Sequence, residues 1–216
     1  MARKIVGLSV FLVYYNICLL IFANGIYYNM ITLAIIALDQ LVASADKLIR
    51  PVTPTEDVDS STRMVGFLLL LHPFFLILIF YDNLLLTSTL LIIVDNPIIS
   101  YIGIIVYIIG GTTVILSRRQ LGRYGDGTTA LKRDHKLLTQ GIYSYIRHPL
   151  YAGALIGRIG IGLSFRGYFS AIFFILIYFI VFRKRMDIEE GFLTVEFGEE
   201  YESYMKRTKR LFPYIY

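Results

Sequence analysis

Apolar runs close to the ~20 residues needed to cross ~30 Å of hydrocarbon recur along this 216-residue sequence with few charges inside them, and they decide its solvent first. With 56% hydrophobic residues and a mean hydropathy of +0.63, the chain carries more apolar surface than a soluble domain of this size can bury. Lipid must cover the excess. The expected fold is an all-α integral membrane protein of five to six transmembrane helices, with a C-terminal helical hairpin and a polar cytosolic region.

The runs define the spans. From Ile5 to Leu38 only polar or small residues interrupt 34 residues, too long for one span without strong tilt. Asn24-Gly25 offers a tight turn and gives spans at about 5–23 and 26–44, in preference to one long helix followed by an interfacial segment. A polar loop with Pro51, Pro54 and clustered charges follows. The next span, about 64–81, should be kinked at His72-Pro73. Leu84 to Val94 is 11 residues, too short to cross, and reads as interfacial or re-entrant. Ile98 to Leu116 spans again. Two last spans, 150–165 and 168–182, meet at Arg166-Gly167. Residues 1–116 are thus expected to form N-terminal transmembrane helices, and 117–216 a catalytic region made of cytosolic loop, hairpin 150–182 and amphipathic tail.

Orientation follows from Lys and Arg. The loop from Ser117 to His148 holds seven, the tail from Arg183 holds seven, and residues 64 to 117 hold none, so both basic segments are expected in the cytoplasm. Counting spans backward, two N-terminal spans also put Arg3 and Lys4 inside; one would leave them outside. The net charge of +5 sits at segment ends rather than in stripes with exposed aromatics, which fits a membrane surface and no nucleic acid. Cys18, the single cysteine, excludes an intrachain disulfide framework and a multi-cysteine metal site, and no metal is expected. The basic start and apolar run of MARKIVGLSVFLVYY read as a retained first span rather than a cleaved signal.

Three polar clusters flank the final hairpin. DHKLLTQGIYSYIRHPLYAG, residues 134–153, carries His135, Tyr143, Arg147, His148 and Tyr151 into the start of a membrane helix. Singly, Arg147 reads as an interface anchor, the tyrosines as belt residues and Pro149 as a helix-starting N1 residue. Together, two histidines beside a helix start with free backbone N–H groups resemble a ligand site. RKRMDIEEGF, residues 183–192, places Arg185 and Glu189, and Arg183 and Asp187, at i, i+4 on a continuing helix; the ordinary reading is a solvated helix end with modest ion pairs. In the tail, Phe197, Tyr201, Tyr204 and Met205 form an apolar stripe on a charged helix, expected to lie on the membrane surface and cap the site. Gly122-Arg-Tyr-Gly125-Asp-Gly127 follows a membrane span rather than a strand and reads as a turn.

The order His-Lys-Leu, Gly-Ile-Tyr, Arg-His-Pro-x-Tyr-x-Gly, hairpin, Glu-Glu, Phe-Gly-Glu-Glu-Tyr, Arg-Leu-Phe-Pro, continuous over residues 134–213, closely resembles the isoprenylcysteine carboxyl methyltransferases and their prokaryotic relatives, within a wider group that includes phospholipid methyltransferases. The first 115 residues match only in having spans and an Arg-Pro loop. The resemblance implies S-adenosyl-L-methionine held by His135, Lys136, Leu137, Leu138, Tyr143, His148, Pro149, Leu150 and Tyr151, some through backbone. It implies Arg185 and Glu189 beside the acceptor, with Glu190 as the second acid; Asp187-Ile188 stands where some relatives have two more glutamates. No extramembrane segment exceeds about 35 residues, so a doubly wound cofactor domain is absent from the expectation.

What the resemblance implies is methyl transfer to the carboxylate of a lipidic acceptor such as prenylated cysteine, in the cell membrane of a prokaryote or the endoplasmic reticulum of a eukaryote. Two other readings stay open. One is a phospholipid or amine N-methyltransferase, for which a cationic acceptor sits poorly beside Arg185. The other is a sterol-type reductase using NADPH, or a non-enzymatic membrane adaptor, which has no use for clustered His135, Tyr143 and His148. Arg158, seven residues after Tyr151 on the same helical face, is costly inside a membrane and marks a contact to the acceptor's anionic group, or else a pair with a carbonyl or a snorkelling stem. His72, before a proline, reads as structural.

Overall fold

The computed structural model describes residues 2–22, 30–50, 60–89, 97–125 and 136–213. Among them are seven α-helices and no strand: α1 (Ala2–Phe22), α2 (Met30–Ile49), α3 (Ser60–Thr89), α4 (Pro97–Leu121), α5 (Pro149–Phe165), α6 (Tyr168–Phe197) and α7 (Glu199–Arg207). Three stretches are long and apolar enough to cross a membrane, Lys4–Phe22, Thr62–Leu85 and Pro97–Tyr124, and α5 is a shorter apolar helix. The chain is a multi-pass membrane protein. Outward faces of α1, α4 and α6 expose Val6, Val10, Ile21, Ile105, Phe169 and Ile172, the residue types that lipid solvates.

The expected turn at Asn24-Gly25 lies outside the described residues, as do Pro51 and Pro54. One expectation is corrected. The segment beginning at Leu84 is not a separate interfacial element as far as it is described, because α3 runs unbroken from Ser60 through Pro73 to Thr89; residues 90–94 lie outside the described set. Asp82 does not end the helix because its carboxylate has a partner elsewhere: Oδ2 accepts the backbone N–H of Ser170, 2.8 Å away in the first turn of α6. The side chain that looked like a span boundary is a helix cap supplied from a neighbouring helix.

The hairpin turns at Arg166-Gly167, where it is expected, and its second helix runs past the expected end at residue 182 to Phe197. α5 ends at Phe165, Arg166 takes the left-handed conformation (φ 58°, ψ 24°), and α6 starts at Tyr168. Gly167 is fixed by contact, since a Cβ there would stand 2.3 Å from the Ile79 carbonyl oxygen. α6 then continues for 30 residues, carrying the Arg185 to Glu190 segment out of the apolar region on one rigid element.

α4 and α5 form the tightest pair, packed backbone to backbone. A Cβ on Gly110 would lie 2.5 Å from the Gly157 nitrogen and 2.6 Å from the Gly153 carbonyl; one on Gly160 would lie 2.5 Å from the Tyr107 nitrogen, and one on Gly103 2.4 Å from the Ser164 nitrogen. In lipid, where hydrophobic association between helices is weak, such small-residue seams give the dispersion contact that holds helices together. Two apolar clusters stack along this scaffold. One joins α1 to α6 around Tyr15, Leu19, Ile35, Phe75, Ile79 and Ile161. The other, around Tyr151, Leu155, Tyr178, Phe182, Met186 and Leu211, closes beneath the C-terminal tail.

Gly110→Ala should therefore separate α4 from α5 and lower the thermal unfolding midpoint in detergent by several degrees. Gly191→Ala, where an added Cβ meets nothing within 4 Å, should leave it unchanged or raise it slightly, by the better helix propensity of alanine.

Candidate functional site

The site grows from a parallel strand-like pairing that ties the chain on either side of the hairpin together. Ile146 bridges Lys209, and the N–H groups of Arg147 and His148 donate to the carbonyls of Lys209 and Arg210 at 2.8 and 2.9 Å. Both N–H groups are thus occupied by the tail. The pairing brings 146–148, the outer part of α6 and residues 208–211 to one place.

Glu190 sits at its centre. Arg147 Nε donates to Oε1 at 2.9 Å, Arg210 donates to Oε2 through Nε at 3.1 Å and Nη2 at 2.6 Å, and His148 Nε2 lies 3.0 Å from Oε1. Arg147 also donates to the carbonyls of Met205 and Thr208, and Arg210 reaches Asp187 at 2.7 Å. Burial alone would raise the Glu190 pKa, but the hydrogen bonds from His148, Arg147 and Arg210 outweigh it and hold the carboxyl at about 2. With both oxygens engaged and the side chain only 8% exposed, Glu190 anchors the tail against α5.

Glu189, the neighbouring acid, faces the other way. A cavity of about 360 Å³ opens beside it, within the range of ligand pockets, and Glu189 lines it while Glu190 does not. Arg185, one turn earlier on α6 and 5% exposed, lines it too. Arg185 Nε donates to the Tyr151 hydroxyl at 2.7 Å, and that hydroxyl donates to Glu189 Oε2 at 2.9 Å. The i, i+4 pair expected from spacing is thus joined through a tyrosine of α5. Arg185 Nη1 also donates to Thr62 Oγ1 at 3.3 Å, fixing the guanidinium from α3. Asp187, expected to pair with Arg183, is engaged by Arg210 instead.

Of the residues expected at the cofactor, Lys136, Leu137, Leu138, Tyr143, His148, Leu150 and Tyr151 all line this cavity. Pro149 is buried at the first position of α5 and is not among the lining residues, and His135 lies outside the described residues. Tyr201 and Tyr204 of α7 complete the wall, and the Tyr204 hydroxyl donates to the Tyr143 carbonyl at 2.6 Å. Burial and the Glu189 charge push the Tyr143 phenol well above its ordinary pKa; burial takes Tyr204 to about 12, so both stay neutral donors. The His148, Tyr151 and Phe182 rings form a continuous aromatic wall, with centroids 5.6 and 4.9 Å apart.

Deeper along the cavity lies a second polar group. Asp39 of α2, 5% exposed, accepts from Tyr15 of α1 at 2.9 Å and Tyr107 of α4 at 2.8 Å, and His72 of α3 lies 2.8 Å from its Oδ2. Arg158 of α5 stacks its guanidinium on the Tyr178 ring of α6, 4.8 Å from the centroid. Sequence reasoning left Asp39 in an apolar run and read His72 as the companion of a proline. Arg210 stood in the sequence only as part of Arg-Leu-Phe-Pro, and nothing there said which carboxylate it would meet.

Comparison with known proteins came to the same region. The phospholipid methyltransferase family profile matches residues 98–200. A probable protein-S-isoprenylcysteine O-methyltransferase of Oryza sativa subsp. indica is 34% identical over 119 residues, 54% of this chain and 62% of the relative. The protein-S-isoprenylcysteine O-methyltransferase of Schizosaccharomyces pombe is 37% identical over 98 residues, 44% of this chain and 42% of the relative. The match thus spans about two fifths to three fifths of these curated relatives. A solved structure of the eukaryotic intramembrane Ras methyltransferase ICMT aligns over 99% of this chain and 96% of its own, with a TM-score of 0.53 and 20% identity, which establishes a shared fold.

The Glu190 clamp fixes a pH window. A carboxyl held at about 2 in the fold and near 4.5 in the unfolded chain contributes stability that is complete above 4.5 and is lost as pH falls toward 2. Hydrogen exchange at the Arg147 and His148 amides should accelerate across that window, beyond the intrinsic pH trend, in the wild type; in Glu190→Gln it should be fast already at neutral pH. Unchanged protection in the variant would show that Glu190 does not hold the tail.

Proposed function

We propose, from the kinship of this chain with the isoprenylcysteine carboxyl methyltransferases, that it is an S-adenosylmethionine-dependent membrane methyltransferase whose acceptor is a lipidic carboxylate such as a prenylated cysteine. The observation that carries the reading is the Arg185, Tyr151 and Glu189 relay on the wall of the same cavity that Lys136 to Leu138 and Tyr143 line. The five-to-six-span topology, with the basic loop and tail on the cytoplasmic face, belongs to the same proposal, as does the division at residues 116/117.

The residues fit the cofactor. The buried Tyr201 hydroxyl, on a residue of the cavity wall, has no hydrogen-bond partner among the described residues, which leaves it for a polar ligand group. Lys136 and Arg147 supply cationic donors for an amino-acid carboxylate, Tyr143, Tyr201 and Tyr204 supply aromatic faces for a sulfonium, and Leu137, Leu138 and Leu150 supply an apolar bed. S-adenosylmethionine, when bound, supplies an electrophilic methyl group on a sulfonium.

What the chain contributes is placement. A methyl-accepting carboxylate needs no proton moved, so general acid and base work is slight. Arg185, held by Tyr151 and Thr62 on the cavity wall, brings its charge to the acceptor carboxylate and sets its approach. Glu189 completes the charge balance through Tyr151 rather than attacking or deprotonating anything. Glu190 takes no part in the displacement; with Arg147, His148 and Arg210 it holds α6 and the tail at fixed distance. Phe182 and the tyrosine wall exclude water, and alignment in a dry site contributes about 7 to 11 kcal/mol to such reactions. An amine acceptor, the reading the phospholipid profile favours, would have to enter as a cation beside Arg185, and that repulsion weighs against it.

Radiolabelled methyl transfer from S-adenosylmethionine should label a prenylcysteine and leave phosphatidylethanolamine unlabelled; the reverse result overturns the carboxylate reading. Arg185→Ala should lower turnover of the acid by about a hundredfold or more, the scale for losing one preorganised donor, while S-adenosylhomocysteine still binds. Arg185→Lys should fail to restore it. Purified protein that binds neither donor nor product would remove the methyltransferase reading altogether.

A further inference from the structure

Arginines and carboxylates match in number around the cavity, among the described residues, except at one corner. The Arg158 charge meets Asp39, Arg185 is joined to Glu189 through Tyr151, and Arg147 and Arg210 divide Glu190 and Asp187 between them. Near the ends of α2 and α4 the match fails. There Arg50 and Arg118 share the single carboxylate of Asp46: Arg50 Nη2 donates to Oδ2 and Arg118 Nε to Oδ1, both at 2.7 Å. All three residues line the cavity.

The mismatch has a physical cost. The Arg118 side chain is only 5% exposed, and a second guanidinium on one carboxylate leaves a positive charge uncompensated where there is little water. Arg118 Nη1 donates to the Gly125 carbonyl at 2.7 Å, a neutral acceptor that hydrogen-bonds the group without cancelling its charge. Arg50 Nε is buried with no hydrogen-bond partner among the described residues. What this corner lacks is an anion. Asp46 takes each guanidinium on a different oxygen and so holds the two cations side by side, an arrangement suited to a carboxylate ligand.

The surroundings select which carboxylate. The segment that the resemblance assigns to the cofactor is fastened to this same end of α4: Gln120 Oε1 accepts the Ile142 N–H at 3.1 Å, and the Tyr143 hydroxyl reaches toward the carbonyl of Ser117, the neighbour of Arg118, at 3.5 Å. Arg185, the group assigned to the acceptor, is held by Thr62 of α3 and Tyr151 of α5, whereas Arg50 and Arg118 are held by Asp46 of α2. One cavity thus has two cationic seats fixed by different helices. Methyl transfer to a carboxylate brings two carboxylates into it, the acceptor's and that of the amino-acid arm of S-adenosylmethionine. We infer that Arg50 and Arg118, clamped by Asp46, are the seat of the cofactor's carboxylate, with Asp46 as a positioning residue. This narrows the choice among the cations of the wall, because Arg147 is engaged by Glu190 and by the Met205 and Thr208 carbonyls. The inference rests on the cofactor reading above, and it adds to that site Asp46 and Arg50, which precede the 98–200 match.

The test compares S-adenosylhomocysteine with its decarboxylated analogue, which keeps the amine, the thioether and the nucleoside. Affinities are measured on the purified full-length protein in detergent. The wild type should prefer S-adenosylhomocysteine by about tenfold or more, the weight of a hydrogen bond to a charged group, and Arg50→Gln should bring the ratio close to one. Methylthioadenosine, which lacks the whole arm, reports by its unchanged affinity that the variant has folded. A second measurement needs no variant. The Arg50 side chain is 31% exposed, so phenylglyoxal can reach it, and S-adenosylhomocysteine should slow its modification, read by mass spectrometry, far more than the decarboxylated analogue does. Equal affinity of the two nucleosides for the wild type overturns the inference, as does a preference that survives Arg50→Gln in folded protein, or equal protection of Arg50 by both. The failures are distinguishable. Binding of neither nucleoside removes the cofactor reading and the inference with it, whereas equal binding of both removes the inference alone.

Discussion

One buried carboxylate organises the membrane part of this protein. Asp39 takes hydrogen bonds from α1 and α4 and pairs with His72 of α3, and the Arg158 charge reaches it from α5. An unpaired carboxylate in an apolar interior would cost several kcal/mol or take up a proton, so each of these helices is held to a rotation and depth that delivers its donor. Apolar ridges alone would not do this. Lipid solvates a leucine face as well as another helix does, so in hydrocarbon the polar contact specifies the register and the packing follows.

The glycine seam between α4 and α5 serves the same end by another means. Close approach at Gly103, Gly110, Gly157 and Gly160 carries Tyr107 up to Asp39. It also aligns the start of α5, where His148 and Tyr151 stand, with the end of α4. From that alignment Tyr151 can lean across to α6 and join Arg185 to Glu189. The polar centre within the helices and the candidate site near their ends are two levels of one arrangement, and a single cavity connects them.

Legibility in the sequence followed the range of the interaction. The final hairpin was readable because its determinants are local: two apolar runs, Pro149 at a helix start and Arg166-Gly167 between them. The residues lining the cavity were readable through a resemblance whose motifs are contiguous. Partners twenty or more residues apart were not readable. Arg210 and Glu190, Asp82 and the α6 start, and Tyr15, Asp39, His72 and Tyr107 are all pairings that only the folded chain creates, over separations of 20 to 88 residues. Asp82 misled for the same reason, since a charge in a hydrophobic run reads as a boundary until its partner is known.

Glu189 and Glu190 show how adjacent residues of one helix come to opposite surroundings. Adjacent residues on a helix point about 100° apart. Here that rotation sends one carboxylate to the cavity, 35% exposed and touched by Tyr151, and buries the other among Arg147, His148 and Arg210. Both acids come from the same dipeptide, and His148 lies between them, 3.0 Å from Glu190 and 3.9 Å from Glu189. The saturated acid fixes where the exposed one stands. One carboxylate is engaged by two guanidinium groups, while its neighbour takes a single hydroxyl hydrogen bond and lines the cavity. Pairing of this kind lets a two-residue motif place one carboxylate in the packing and the other on the cavity wall from one turn of helix.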